Sequence, residues 1–292
     1  MHSFFVRVLP PALVLLGLCA APLRAEVLDL QIAEVAHYAT PTPAFFAAVV
    51  NGDLPALEAG LEEGISPDAA VPAPLPPEMA GLFKPRSRGG LLLNDPGATA
   101  LMLAVAAGQD AVMARLIAAK ANREPRTRSG IRPLDIAAER QDTAAMQMLL
   151  GVTPDSEAAR LSILVDLIEQ KATISRDGLP ILVTKVSSGK KEKPTPPGKY
   201  VVTQKYTDWR STLYHNASMP FFLRLSCSTV GLHAGALPGY PASHGCVRLP
   251  KDIAQKLYTM IPKGTVVEIR GGTEAANTPP AAAREKTKGK RG

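Results

Sequence analysis

The chain has 292 residues, 46% hydrophobic and 20% charged, a balance that supports a packed core of one or two domains and excludes wholesale disorder. Its formal charge of +7 is mild and spread along the chain, so no nucleic-acid partner is expected, while an anionic polymer or surface fits as a neighbour. Three cysteines are too few for a disulfide-stapled scaffold.

Residues 1–7 carry one positive side chain, Arg7, and residues 8–21 are apolar without a charge. That run is shorter than the ~20 residues a bilayer span needs, and Pro10 and Pro11 interrupt it. Small residues follow, with cleavage positions after Ala21 or Ala25. Residues 1–25 therefore read as a secretory signal peptide, with an uncleaved anchor as the alternative. The expectation is an exported, periplasmic protein of a bacterial envelope that meets the membrane only during export. Its mature form keeps two thiols, Cys227 and Cys246, in an oxidising compartment.

The next segment repeats itself. Residues 97–108 recur as residues 130–141, an offset of 33 residues. Each copy predicts a turn, a short helix with a small residue at its tight contact (Ala104, Ala137) and a second helix, at 111–120 and 143–150. An earlier copy starts at Pro43, where Phe45, Ala48 and Gly52 align with Leu101, Ala104 and Gly108. The Pro-rich stretch 71–90 absorbs the extra length before the second unit. A 33-residue period with this helix start resembles the ankyrin repeat, although the histidine of its Thr-Pro-Leu-His start is missing. Residues 43–150 are thus expected to form an all-α, ankyrin-like stack. It serves as a helical spacer or as a docking surface for a protein partner.

From Ser162 the pattern changes to alternating, β-branched segments. Strands are predicted at 163–166, 171–175, 181–186, 200–203 and 266–269, with a turn at Asp177-Gly178 and a helix at 251–260. This makes a mostly β second domain over 162–270 with one or two helices. The tail 271–292 has five basic and two acidic residues and no large apolar ones, and is expected to be disordered.

The chemistry concentrates between 227 and 248. Cys227, His233, His244 and Cys246 total four metal-binding side chains, but their spacing lacks the close cysteine pair usual in structural zinc sites. A Cys227–Cys246 disulfide or simple core filling by cysteine are further readings. The competing reading is a nucleophilic Cys246 with an imidazole base, His233 or His244, between which spacing does not choose. Gly245 lets the backbone turn sharply beside the sulfur.

Ser243-His244-Gly245-Cys246-Val247-Arg248, preceded by His233, resembles the signature of the L,D-transpeptidase catalytic domain of bacterial cell-wall enzymes. Residues 165–171, the loop 195–200, Met219-Pro220 and the short loop 237–243 extend the likeness. The resemblance implies Cys246 as nucleophile, His233 as proton donor and acceptor, His244 as a supporting residue and the backbone N–H groups around Gly245 and Cys246 as oxyanion donors. Ser243 and Arg248 are expected at the substrate, Ser243 also holding the turn through its hydroxyl and Arg248 pairing with a stem carboxylate, with a surface salt bridge as its alternative. Tyr214, His215 and Tyr240 are candidates to line the cleft, and Cys227 is a buried bystander. No metal or other cofactor is implied. The expected reaction attacks the third residue of a peptidoglycan tetrapeptide stem, releases D-Ala and passes the acyl group to an amine, forming a 3→3 cross-link. With water as acceptor the same site is a carboxypeptidase, and with a protein amine a lipoprotein-anchoring enzyme. A non-catalytic, wall-binding adaptor is the reading from another class.

Overall fold

The structure, a computed structural model, describes residues 38–71, 87–213 and 216–271. The expected signal peptide 1–25, residues 72–86 of the Pro-rich stretch 71–90, Tyr214, His215 and the tail after residue 271 lie outside the described residues.

The first half is built from helix pairs. The helices are α1 (Pro43–Asn51) and α2 (Leu54–Glu62), α3 (Arg88–Leu91) running into a 3₁₀ turn, α4 (Ala100–Ala107) and α5 (Asp110–Ala118), then α6 (Pro133–Glu139) and α7 (Thr143–Leu149). Side-chain caps explain the starts: Thr42 accepts from the Phe45 N–H and Thr99 from the Met102 N–H, which satisfies donors that a helix leaves unpaired. At α6 the cap position is Arg132, and the Asp135 carboxylate reaches back to its N–H at 3.0 Å instead. Each first helix is followed by a left-handed residue: Gly52 (φ 77°), Gly108 (φ 76°) and, in the third pair, Gln141 (φ 54°). Ala48, Ala104 and Ala137 are all buried, the small residues that let neighbouring pairs approach.

The second half is one eight-stranded sheet. After the short α8 (Glu157–Arg160) come β1 (Leu161–Asp166), β2 (Lys171–Arg176), β3 (Leu179–Lys185), β4 (Gly198–Arg210), β5 (Ser218–Leu225), β6 (Gly231–Ala234) and β7 (Val247–Leu249), then α9 (Lys251–Met260) and β8 (Val266–Arg270). The strand order is β3-β2-β1-β8-β4-β5-β6-β7. The predicted strand 200–203 is only the start of the 13-residue β4; the residue pattern predicted none of β5, β6 and β7, and only the likeness at Met219-Pro220 implied a strand where β5 lies. Their sequence hides them. β6 is buried on both faces and so does not alternate, β7 has three residues, and β5 carries Phe221 at φ 54° with a shifted register against β4. β6 and β7 run parallel, with His233 in register with Arg248.

The halves share packing and polar contacts. Val201 of β4 is fully buried within the helical core, and Val266 packs against it. Gln147 donates to the Gly264 carbonyl at 3.0 Å, and the Lys199 N–H donates to the Gln141 side chain at 3.2 Å. Cys227, in the β5–β6 turn, donates its S–H to Asp135 at 2.9 Å. Burial alone would raise the Asp135 pKa. The hydrogen bonds from Arg132 and Cys227, with the Arg132 charge, outweigh it and hold the carboxyl at about 2.

This shared packing makes a prediction. Leu101→Ala, at a fully buried position of α4, should cost about 2–5 kcal/mol and shift both halves. In a urea titration the helical circular-dichroism signal and the fluorescence of Trp209, the chain's single tryptophan on β4, should move together to lower denaturant. A Trp209 transition that stays in place would show that the halves unfold separately.

Candidate active site

The site forms where β6 and β7 lie side by side and the loop 243–246 feeds into β7. Gly245 sits at φ 121°, a backbone that a side chain would strain. Two hydroxyls hold this turn. Thr195, almost fully buried, accepts from the Gly189 N–H and donates to the Gly245 carbonyl, both at 2.8 Å. Ser243 accepts from the Gly245 N–H at 3.1 Å and donates to the Cys246 carbonyl. The Ala242 and Ser243 N–H groups both donate to the Ser188 carbonyl. Ala242, Ser243 and Gly245 are thereby tied to the segment 187–195.

Several expected residues meet here. His233, Ser243, His244, Cys246 and Arg248 line one cavity of about 310 Å³, together with Met219 and the backbone around Ala234–Ala236. The parallel register explains it: residues paired in adjacent strands project to the same face, so His233 and Arg248 emerge together, with Cys246 two positions earlier. A smaller cavity of about 70 Å³ also borders Cys246, sharing Ser211, Met219 and His244 with the first and adding Trp209, Phe222, Arg224 and Thr229 among others. Tyr240 lines neither; its carbonyl is held by Ser187 at 2.8 Å.

Two expectations change in detail. The Gly245 N–H points to Ser243, so it is already engaged, and the Ser243 hydroxyl is committed to the turn rather than offered to the cavity. The Cys246 N–H, by contrast, has no partner among the described residues. Cys227 stands away from the cavity at Asp135 and Leu134, and both cysteines are free. The four side chains considered for zinc are therefore not gathered, and the considered disulfide is not formed. Thr195, Ser187 and Ser188 shape the site without having been singled out as site residues. The only sequence signal was the Thr195-Pro-Pro-Gly loop.

Electrostatics follow from burial. His233 is 6% exposed and its ring packs near Phe222, with centroids 6.2 Å apart. Burial pulls its pKa down to about 4, with the Arg248 charge acting in the same direction against the Ala234 hydrogen bond. The His233 Nδ1 lies 2.8 Å from the Ala234 carbonyl. A carbonyl only accepts, so Nδ1 carries the proton and Nε2 is left with its lone pair. Burial also raises the Cys246 thiol, and the Gly231 N–H with the charges of Arg248 and Arg224 recovers only part of that shift. At neutral pH the resting site thus holds a neutral thiol and a neutral imidazole. Cys227 is raised further, to about 12, by burial and by the neighbouring Asp135 carboxylate.

These residues lie within a stretch that matches a family model. Residues 160–269 match the YkuD family model, the L,D-transpeptidase catalytic domain. Among solved structures, the chain is similar to an L,D-transpeptidase from Mycobacterium smegmatis (20% identity, TM-score 0.36), covering 38% of this chain and 59% of that one. An Enterococcus faecium L,D-transpeptidase mutant shows 28% identity and TM-score 0.35, covering 38% and 50%. L,D-transpeptidase 3 from Mycobacterium tuberculosis, in complex with a faropenem-derived adduct, shows 22% identity and TM-score 0.36, covering 38% and 60%. The chain thus spans only half to three-fifths of these relatives' length. Comparison with curated proteins gives no match. The L,D-transpeptidase match covers β1 to β8 and stops short of the helix pairs.

The neutral thiol is testable without a substrate. Alkylation of Cys246 by iodoacetamide, followed by peptide mapping, should accelerate continuously as pH rises through 9, because a raised pKa keeps the thiolate scarce below it. A plateau between pH 5 and 8 would instead reveal a thiolate already formed. Thr195→Val, which strands the Gly189 N–H and the Gly245 carbonyl, should cost about 1–3 kcal/mol in thermal unfolding and disturb Cys246 alkylation as the turn loosens.

Proposed function

We propose that the chain is a peptidoglycan L,D-transpeptidase acting through a cysteinyl thioester. The observation carrying this is Cys246 and His233 lining one cavity, with the histidine tautomer set by Ala234. His233 Nε2 takes the Cys246 proton as the sulfur attacks the amide carbonyl between the stem's third residue and its terminal D-Ala. The transfer happens during attack, because neither group is charged at rest. The Cys246 N–H is the backbone donor supported for the oxyanion, and one such donor supplies about 3–4 kcal/mol in related acyl transfers. His233 then returns the proton to the departing D-Ala amine. The thioester passes to the amine of another stem's third residue, which makes a 3→3 cross-link.

Arg248 suits a stem carboxylate, since its guanidinium forms no ion pair among the described residues and faces the cavity. Its stem stacks over Gly235, where a Cβ would come within 2.9 Å, so the backbone and the arginine are fitted to each other. His244 lines both cavities beside the sulfur and fits a supporting role in the turn.

Peptidoglycan lies outside the cytoplasm, and the uncharged run 8–21 supports export to the periplasm. Among the described residues no helix is long and apolar enough to cross a membrane. The helix pairs are read as an ankyrin-like array on the 33-residue offset and the left-handed residues that end their first helices.

Intact-mass analysis after incubation with faropenem tests the proposal. One adduct is expected on the wild type and none on Cys246→Ala, while His233→Ala should slow its formation by about 10²–10⁴-fold. An adduct that persists on Cys246→Ala, or an unimpaired His233→Ala, would refute the assignments. Fragments of muramidase-digested sacculi treated with the enzyme should gain 3→3 dimers and release D-Ala; trimming without dimers would point to water as acceptor.

A further inference from the structure

The smaller cavity beside Cys246 contains a cation that the mechanism does not use. Arg224, on β5, lies over three rings, with its guanidinium carbon 4.8 Å from the Trp209 centroid, 5.7 Å from Phe222 and 5.9 Å from Tyr206. Aromatic faces hold a guanidinium in place without neutralising it. No carboxylate pairs with Arg224 among the described residues, and its Nε is buried with no hydrogen-bond partner. A guanidinium held against ring faces, its Nε buried without a partner, carries a cost that a ligand can relieve. Its natural complement is a planar carboxylate, which a guanidinium grips with two parallel hydrogen bonds.

The chemistry of acyl transfer says which part of the substrate that carboxylate belongs to. Attack at Cys246 divides the substrate into an acyl half, which stays on sulfur, and an amine half, which leaves. His233 must reach the departing and incoming nitrogen, so the amine half lies in the large cavity that His233 and Arg248 line. The acyl half must extend elsewhere from Cys246. The cavity lined by Cys246 and Arg224 excludes both His233 and Arg248 from its walls. We infer that Arg224 is a specificity-determining residue that binds a free carboxylate on the acyl half of the donor stem, so that the enzyme selects stems whose carboxylates are not amidated. Two arginines in the two cavities that Cys246 lines then divide the work: Arg248 faces the amine half and Arg224 the acyl half. This inference rests on the acyl-enzyme reading above.

The test compares two donors on the full chain: a synthetic tetrapeptide stem with its acyl-half carboxylates free, and the same peptide with them converted to carboxamides. Initial D-Ala release gives kcat/KM for each, and intact mass verifies the Cys246 thioester. The wild type should prefer the acid donor by tenfold or more. Arg224→Gln should bring that ratio close to one, and Arg224→Lys should retain part of it. Reading a ratio within each variant separates recognition from a general loss of fold, and the wild-type comparison needs no variant. If thioester forms but the wild type shows no acid preference, or Arg224→Gln keeps it, the role of Arg224 is overturned while the acyl-enzyme reading stands. If neither donor nor faropenem acylates Cys246, the acyl-enzyme reading falls and takes this inference with it.

Discussion

The hydrogen bond from His233 Nδ1 to the Ala234 carbonyl is the contact on which the site depends. It is local, spanning neighbouring residues of one short strand, so it exists only if β6 is held in its extended form. β5 on one side and β7 on the other hold it there, and all four β6 residues are buried. The same burial that dries the imidazole keeps it neutral and orients its lone pair. Strand packing, tautomer and basicity are thus one arrangement seen at three levels, from sheet register to proton transfer.

The proposed nucleophile is placed by a different device. Cys246 is not inside a strand; it ends a turn in which Gly245 takes a conformation closed to other residues and the Thr195 and Ser243 hydroxyls bind the backbone on both sides. Those hydroxyls are buried polar groups that are satisfied only when the turn is correct, so a misplaced sulfur leaves them unpaired. The helical half contributes at a distance. Its core includes Val201 of β4, and Asp135 fixes the β5–β6 turn through Cys227, one turn away from the start of β6. This gives the helix pairs a supporting role in the β-sheet, beyond any surface they offer.

Much of this was legible in the residues. The 33-residue offset located helix pairs, because a left-handed residue and a small alanine recur at matching places in each pair. The edge hairpin was legible from alternation and the Asp177-Gly178 turn, and α9 from its spaced Ile253, Leu257 and Met260. The strands that build the site were not. β6 is too short and too buried to alternate, and β7 reads as an extension of the motif. The fate of individual donors was hidden too. The resemblance suggested the N–H groups around Gly245 and Cys246 for the oxyanion, but Ser243 already accepts the Gly245 one. Nor does any local pattern mark Arg224, whose meaning comes from rings on β4 and from the absence of an acidic partner. The large depression of the His233 pKa is likewise a property of its surroundings and not of its neighbours in the chain.

Nitrogen-15 NMR of the histidine rings through a pH titration addresses the central claim most directly. A His233 ring that stays the Nδ1-protonated neutral tautomer at pH 7, and takes up a second proton only near pH 4, is the predicted result. A ring already doubly protonated at neutral pH, balancing an ionised sulfur, would contradict it.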